Sequence, residues 1–254
     1  MESIWSQSCS IRERETLHSN LEVEVAVIGA GMAGILTAFA LQEAGRQVVV
    51  LEANRIGSGQ TRNTTAKITS QHGMVYQKLI QTMGMDAARQ YAQANQLAVR
   101  AYKDIIKANR IDCDFEERNA YVYGSDAQTL QEEVRAAVEL GLPASYVTDV
   151  SIPAPAVGAV KFDHQAQFHP LKFLKSISDK LTVYEHTPVQ TVEEDRLSTP
   201  YGTVKAQQIV FTCHVPFLNF PGMYFTRLHQ ERSYVLALAN APKVDGMYIS
   251  AEKG

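Results

Sequence analysis

Cysteine is scarce in this chain: Cys9, Cys113 and Cys213 stand about a hundred residues apart. That spacing excludes a Cys-x-x-Cys pair, a zinc-ligand set and a disulfide framework. Isolated thiols of this kind fit a reducing compartment. Long apolar runs are lacking too, since nowhere do eighteen apolar residues follow one another, so no membrane-spanning helix is expected. The first twenty residues are polar and mixed in charge, without the apolar stretch of a secretory signal. A cytoplasmic location with no membrane partner is the expectation. Charge of one sign is not in excess either. There are 24 basic and 27 acidic residues spread along the sequence, for a formal net charge of −3. No basic stripe exists to follow a nucleic-acid backbone, so no nucleic-acid partner is expected.

What is present is ordinary globular material, 45% apolar and 20% charged over 254 residues. That length suffices for one large domain or two interleaved ones. Val23–Ile28 is a short run rich in β-branched residues, as a buried parallel strand requires. It leads directly into Gly29-Ala30-Gly31-Met32-Ala33-Gly34. A helix pattern follows from Ile35 to Ala44, closed by Gly45, and Gln47–Leu51 reads as a second apolar strand ended by Glu52. In such a strand–turn–helix unit, Gly29 lets the chain turn off the strand, Gly31 lets a pyrophosphate approach the backbone, and Gly34 lets helix and sheet pack closely. The helix start offers N–H groups and partial positive charge to phosphates. Glu52, 23 residues after Gly29, is placed to accept hydrogen bonds from both hydroxyls of an adenosine ribose. The unit predicts dinucleotide binding.

The fingerprint is shared by NAD and FAD domains, and the following segment favours FAD. Ala53 to Lys67 is a long stretch of small and hydroxyl residues suited to a phosphate-and-ribityl chain. An NAD domain would proceed sooner to its next helix. Here the residues resemble the D-amino-acid-oxidase-like flavoproteins, which include glycine and sarcosine oxidases. The most specific stretches are Leu51–Thr61 and Thr64–Gly73. The latter, with Ser3-Ile4-Trp5, is most similar to the subgroup carrying a C-terminal Rieske iron–sulfur domain. The resemblance implies FAD as cofactor and a small-molecule substrate. It also implies an iron–sulfur domain in a full-length relative. It places Gly57 to Thr61 beside the pyrophosphate and ribityl chain, and Thr65, Ala66 and Lys67 near the flavin ring; Ala53, Arg55, Ser58, Gly59 and Thr61 are the cofactor-binding candidates of this loop. Val189 is placed at the adenine and Thr212 on the strand returning beneath the cofactor.

Elsewhere the pattern predicts a helix over 86–110, with Tyr91, Ala94, Ala98, Ala101, Tyr102 and Ile105 as its core stripe. Ala120–Tyr123 reads as a strand. Ser125 to Gln128 reads as a capping box opening a helix that ends before Gly141, and the Pro-rich stretch 152–156 as a linker. A helix is expected from His169-Pro170, with strands over 182–186, 187–192 and 208–213 and a turn at 200–202. His169 and His214 have two readings each, a catalytic histidine or a helix-cap and loop-end residue. The fold class is therefore α/β: a doubly wound (Rossmann-like) FAD-binding domain, residues 1–80 and 160–216. A split, incomplete α+β substrate domain covers residues 81–159 and 217–254.

On the substrate side, Phe225–Ala237 is a strand candidate carrying Arg227, Arg232 and Tyr234. Arg232 has the planar fork to hold a carboxylate, or pairs at the surface with Glu231. Lys67, Arg232 and Tyr234 are the catalytic candidates, and no metal ligand set is expected. The chain stops on an expected strand, and family members continue for about a hundred residues more. A fragment or a natural truncation is thus expected, with no Cys-x-His pair for a cluster. Three functions remain open: an FAD-dependent oxidoreductase acting on CH–NH or CH–NH2 donors, a non-catalytic flavin-binding or interaction module, and an NAD-dependent dehydrogenase.

Overall fold

The computed structural model describes residues 2–218, 220, 222–231 and 233–252. Its contacts divide the chain into two compact units, Met1–Thr64 with Pro170–Ala237, and Thr65–His169 with Leu238–Gly254. The chain opens in the first unit with α1 (Ile4–Ser8), β1 (Leu21–Ile28), α2 (Met32–Glu43) and β2 (Val48–Leu51). It then builds the second through β3 (Lys67–Ile68), α3 (Tyr76–Met83), α4 (Met85–Ala108), β4 (Glu116–Gly124), α5 (Ala127–Glu139), β5 (Ala144–Val147) and β6 (Gly158–Gln167). It returns to the first with α6 (Pro170–Ser178), β7 (Val183–Tyr184), β8 (Thr191–Glu193), β9 (Arg196–Thr199) and β10 (Gly202–Phe211). β11 (Met247–Ser250) adds a last strand to the second unit.

The first unit is a six-stranded sheet in the order β7-β2-β1-β10-β9-β8. Its four strands from β7 to β10 are parallel, and β9 and β8 turn antiparallel at the edge. β1 is central, and Val25, Ala26, Val27 and Ile28 are all buried. A strand covered on both faces needs such a continuous apolar run rather than alternation. One face packs with Leu17, Val49, Leu51, Leu197, Val204 and Ala206. α2 and α6 bring Ile35, Phe39, Leu171 and Leu174 into the core. The expected α/β, doubly wound architecture is therefore present.

The second unit is a five-stranded sheet, β11-β4-β6-β3 with β5 also paired to β6. Three helices, α3, α4 and α5, accompany it. Its core joins Tyr76, Leu130, Val160 and Phe162, with the Tyr76 and Phe162 rings stacked at 6.0 Å. Glu133 is buried on α5, and its carboxylate accepts the backbone N–H groups of Val75, Tyr76 and Gln77 at 2.8, 2.7 and 3.0 Å. It thus caps α3 from a different helix, satisfying orphan donors and facing the positive end of the helix dipole.

Several expectations are corrected. α4 forms where expected, but it buries Ala88 and Ala92, while Tyr91, Ala94, Ala98 and Ala101 are exposed. Alanines fit either face of a helix, so they do not fix which one is buried. The N-cap of α5 is Asp126, whose carboxylate accepts from Gln128 and Thr129, and Ser125 instead donates to Glu252. Residues 152–156 join β5 to β6 inside the second unit. Of the expected strand 187–192 only Thr191 and Val192 pair, in β8, which runs on to Glu193. The described residues of 225–237 form no strand: a short 3₁₀ turn at Tyr224–Thr226 precedes irregular, exposed chain. Alternating apolar residues make a strand only when a partner strand pairs with them. The units change over at 64/65, 169/170 and 237/238, against sequence boundaries at 80, 160 and 216.

Glu133→Ala leaves buried N–H groups without an acceptor and is expected to cost about 2–3 kcal/mol. Urea unfolding that matches wild type would show that α3 does not need this cap.

Candidate functional site

The C-terminal ends of three parallel strands, β2, β1 and β10, bring Glu52, Gly29 and Thr212 side by side. Ile28 is in register with Leu51 on one side and Phe211 on the other. In parallel α/β sheets this edge is where ligands bind. Gly29 donates to Leu51 O at 2.8 Å, and Thr212 donates from its backbone to Ile28 O at 3.0 Å. The Thr212 hydroxyl reaches Ile28 O and Gly29 O at 2.8 and 3.1 Å. Gly29 sits at φ +104°, a backbone region that L side chains rarely adopt. A Cβ on Gly34 would lie 1.9 Å from Gly29 O and 2.6 Å from the Thr212 hydroxyl. Helix and strand therefore approach to a distance that only glycine permits.

α2 starts with Gly31 as its N-cap, a residue with no side chain to cap it. Met32 N–H donates to the Thr61 hydroxyl at 3.0 Å. Among the described residues, no acceptor takes the N–H of Ala33 or Gly34. These donors point from the helix end where partial positive charge gathers. A Cβ on Gly31 would meet only Thr61 Oγ1, at 3.5 Å, so the approach is clear. The set can hold a diphosphate. Glu52 lies at the same edge. Its Oε2 accepts from Ala30 N–H at 2.7 Å and its Oε1 from Asn54 N–H at 2.8 Å. Each oxygen keeps a lone pair for a diol.

After Glu52 the loop with Ala53, Arg55, Ser58 and Gly59 runs to a 3₁₀ turn at Gln60–Asn63. Gly57, at φ +70°, would press a Cβ to 2.8 Å from Leu174. Arg55 faces the protein: it donates to Ile11 O at 3.0 Å and pairs with Glu13 at 3.3 Å and Glu185 at 2.8 Å. Glu185 is wholly buried, and no sequence signal marked it. Its two oxygens accept Arg14 N–H at 2.8 Å and Ile56 N–H at 2.6 Å. Val189 is half-buried against the β1–β2 face of the core.

In the second unit Thr65 is exposed, Ala66 is buried at φ +59°, and burial pulls the Lys67 ammonium below its ordinary pKa. A non-glycine residue in the left-handed region costs roughly 1 kcal/mol or more, strain that clusters at functional positions. Tyr234 is 87% exposed and Arg227 is exposed. Arg232 lies outside the described residues. His169 is buried just ahead of α6 and donates from its backbone to Cys113 O at 2.7 Å, and His214 is exposed. Burial pushes the Cys213 thiol up, so it stays protonated at neutral pH. Among the described residues no cluster of His, Cys, Asp or Glu could hold a metal ion, and no helix is long and apolar enough to cross a membrane. Gly34→Ala forces Cβ onto a carbonyl oxygen and is expected to destabilise the chain by more than about 3 kcal/mol. A thermal melt within a degree or two of wild type would contradict the close approach.

Known proteins resemble this chain in sequence and in fold. YhfW of Bacillus subtilis, whose name describes it as a Rieske 2Fe-2S iron–sulfur protein, is 34% identical over 267 residues, covering 99% of this chain and 52% of its own length. Gamma-glutamylputrescine oxidoreductase of Escherichia coli is 26% identical over 212 residues, 77% of this chain and 50% of that protein. The chain thus spans about half the length of the curated relatives it matches. Two solved structures share the fold at low identity. L-proline dehydrogenase from P. horikoshii has a TM-score of 0.70 at 15% identity, covering 91% of this chain and 65% of that one. Glycine oxidase from Geobacillus kaustophilus has a TM-score of 0.63 at 16% identity, covering 81% and 59%. Residues 24–251 match the FAD dependent oxidoreductase family, DAO, and the chain belongs to that family, whose cofactor is FAD.

Proposed function

We propose that this chain holds FAD along the edge formed by the 29–34 turn, Glu52 and the loop to Thr64, and that the whole protein oxidises an amine or amino acid. The observation that carries the reading is the pair of unclaimed N–H groups at Ala33 and Gly34, beside an acidic side chain on the adjacent strand end. In this reading Gly29, Ala30, Gly31, Met32, Ala33 and Gly34 surround the diphosphate with backbone, and Glu52 takes the ribose hydroxyls. Ala53, Arg55, Ser58, Gly59 and Thr61 shape the loop beside it. Val189 lies toward the adenine, Thr212 beneath the turn, and Thr65 and Ala66 toward the ring. Bound FAD supplies the acceptor for a hydride leaving a C–H carbon next to nitrogen.

What the chain's own residues supply is binding and orientation. Of the three catalytic candidates Lys67 is the one suited to proton transfer, because its half-buried amine loses its proton more readily than an exposed lysine. Arg232 and Tyr234 remain candidates for the substrate's carboxylate. The similarity to a protein named for a Rieske cluster supports an iron–sulfur domain in longer relatives. The three cysteines form no disulfide, which supports a cytoplasmic location.

The test is the visible absorption spectrum of the purified chain after FAD is added and unbound flavin washed away. Flavin bands that persist support the reading, and a colourless protein defeats it for this chain. Glu52→Ala is expected to weaken FAD binding by about 1–3 kcal/mol, with Glu52→Gln losing less because one acceptor remains. Affinity unchanged in both variants would remove Glu52 from the site.

A further inference from the structure

Residues 3–17, ahead of β1, belong to no sheet, yet they are fastened along the loop over 53–64. Trp5 donates its indole N–H to Thr64 O at 2.9 Å, at the far end of that loop. Arg55, near the loop's start, donates to Ile11 O at 3.0 Å and pairs with Glu13. One buried carboxylate, Glu185, holds both segments at once: Arg14 N–H on Oε2 and Ile56 N–H on Oε1. Leu17 then enters the core at 1% exposure, its N–H on the Thr187 hydroxyl at 3.1 Å. α1 packs on α6 and on the 3₁₀ turn of the loop, and the Ser3–Ser6 capping box fixes its first turn.

We propose that residues 3–17 brace the cofactor loop and that Trp5 is a positioning residue for FAD. The proposal rests on the reading of 53–64 as the cofactor loop. A loop of small residues has many conformations, and ordering each residue costs roughly 1–2 kcal/mol of backbone entropy. The brace meets that cost before any ligand arrives, because it ties the loop near its start, at Arg55 and Ile56, and at its end, at Thr64. A binding loop held ready in this way binds more tightly than one ordered by its ligand. Trp5 restrains Thr64, and Thr61 in the same turn accepts from Met32 N–H at the start of α2. The position of the Thr61 hydroxyl against the helix end is therefore coupled to a side chain 56 residues upstream.

Trp5→Phe keeps an aromatic ring on α1 and deletes the donor. Trp5 is the only tryptophan in the sequence, so emission at tryptophan wavelengths vanishes in the variant and its purity is self-reporting. FAD titrated into the flavin-free chain should bind about five-fold more weakly in Trp5→Phe, the equivalent of one hydrogen bond of about 1 kcal/mol. The visible circular dichroism of bound flavin should change, while the melting temperature of the flavin-free chain stays at the wild-type value. Wild type that retains FAD, with a variant equal to it in affinity and in flavin dichroism, overturns the brace and leaves the cofactor reading standing. Weaker binding matched by an equal loss of stability in the flavin-free chain also overturns it, since Trp5 would then serve the fold alone. Wild type that binds no FAD overturns the cofactor reading and the brace with it.

Discussion

The approach of α2 to the end of β1 is the constraint from which the nucleotide-type unit follows. Gly34 packs so close to Gly29 O that no Cβ fits between them, and this closeness aims the start of α2 across the sheet edge. It also leaves Gly31 open and the N–H groups of Ala33 and Gly34 unspent. Thr212 locks the arrangement from the other side by donating to both Ile28 O and Gly29 O. A unit that left these donors facing protein would have a capped helix and no anion site. Here the helix is capped by nothing but the Thr61 hydroxyl at Met32.

Two buried carboxylates do comparable structural work in the two units. Glu133 collects three backbone N–H groups at the start of α3. Glu185 collects Arg14 and Ile56 N–H groups and the Arg55 guanidinium. Burying a carboxylate is costly unless its charge is met by donors or a cation, and both sites meet that condition. Each therefore fixes a segment that has no sheet or helix ladder of its own: the entry to α3 in one unit, and the loop beyond Glu52 in the other. The Ala66 backbone strain and the lowered Lys67 pKa sit on the first residues of the second unit, next along the chain from the restrained Thr64.

Much of the first unit was legible because its interactions are local. The β-branched run 23–28, three spaced glycines and an acid at the next strand end lie within about thirty residues, and each residue's role follows from backbone geometry. The helix from Pro170, with Leu171, Leu174 and Ile177 buried, was legible for the same reason. The second unit was less so. Its central strand β6 carries Asp163, His164 and Gln165 amid apolar neighbours and reads as no strand, yet β4, β5 and β3 all pair with it. Gln165 is buried there because its amide accepts from Ser70 N–H at 2.7 Å, a contact 95 positions away.

The sequence by itself determined the strand–turn–helix–strand unit, since glycine conformation, β-branching and the Glu52 spacing act over short range, and the resemblance of Leu51–Thr61 and Thr64–Gly73 pointed to the family and to FAD. Only the tertiary structure decided which face α4 buries, that 225–237 stays unpaired among the described residues, and that polar residues 3–17 form a brace. Those outcomes depend on partners distant in the chain. Glu185 meets Arg14 across 171 positions and Trp5 meets Thr64 across 59. A charged or polar residue reads as surface until the fold brings it the donors that let it be buried.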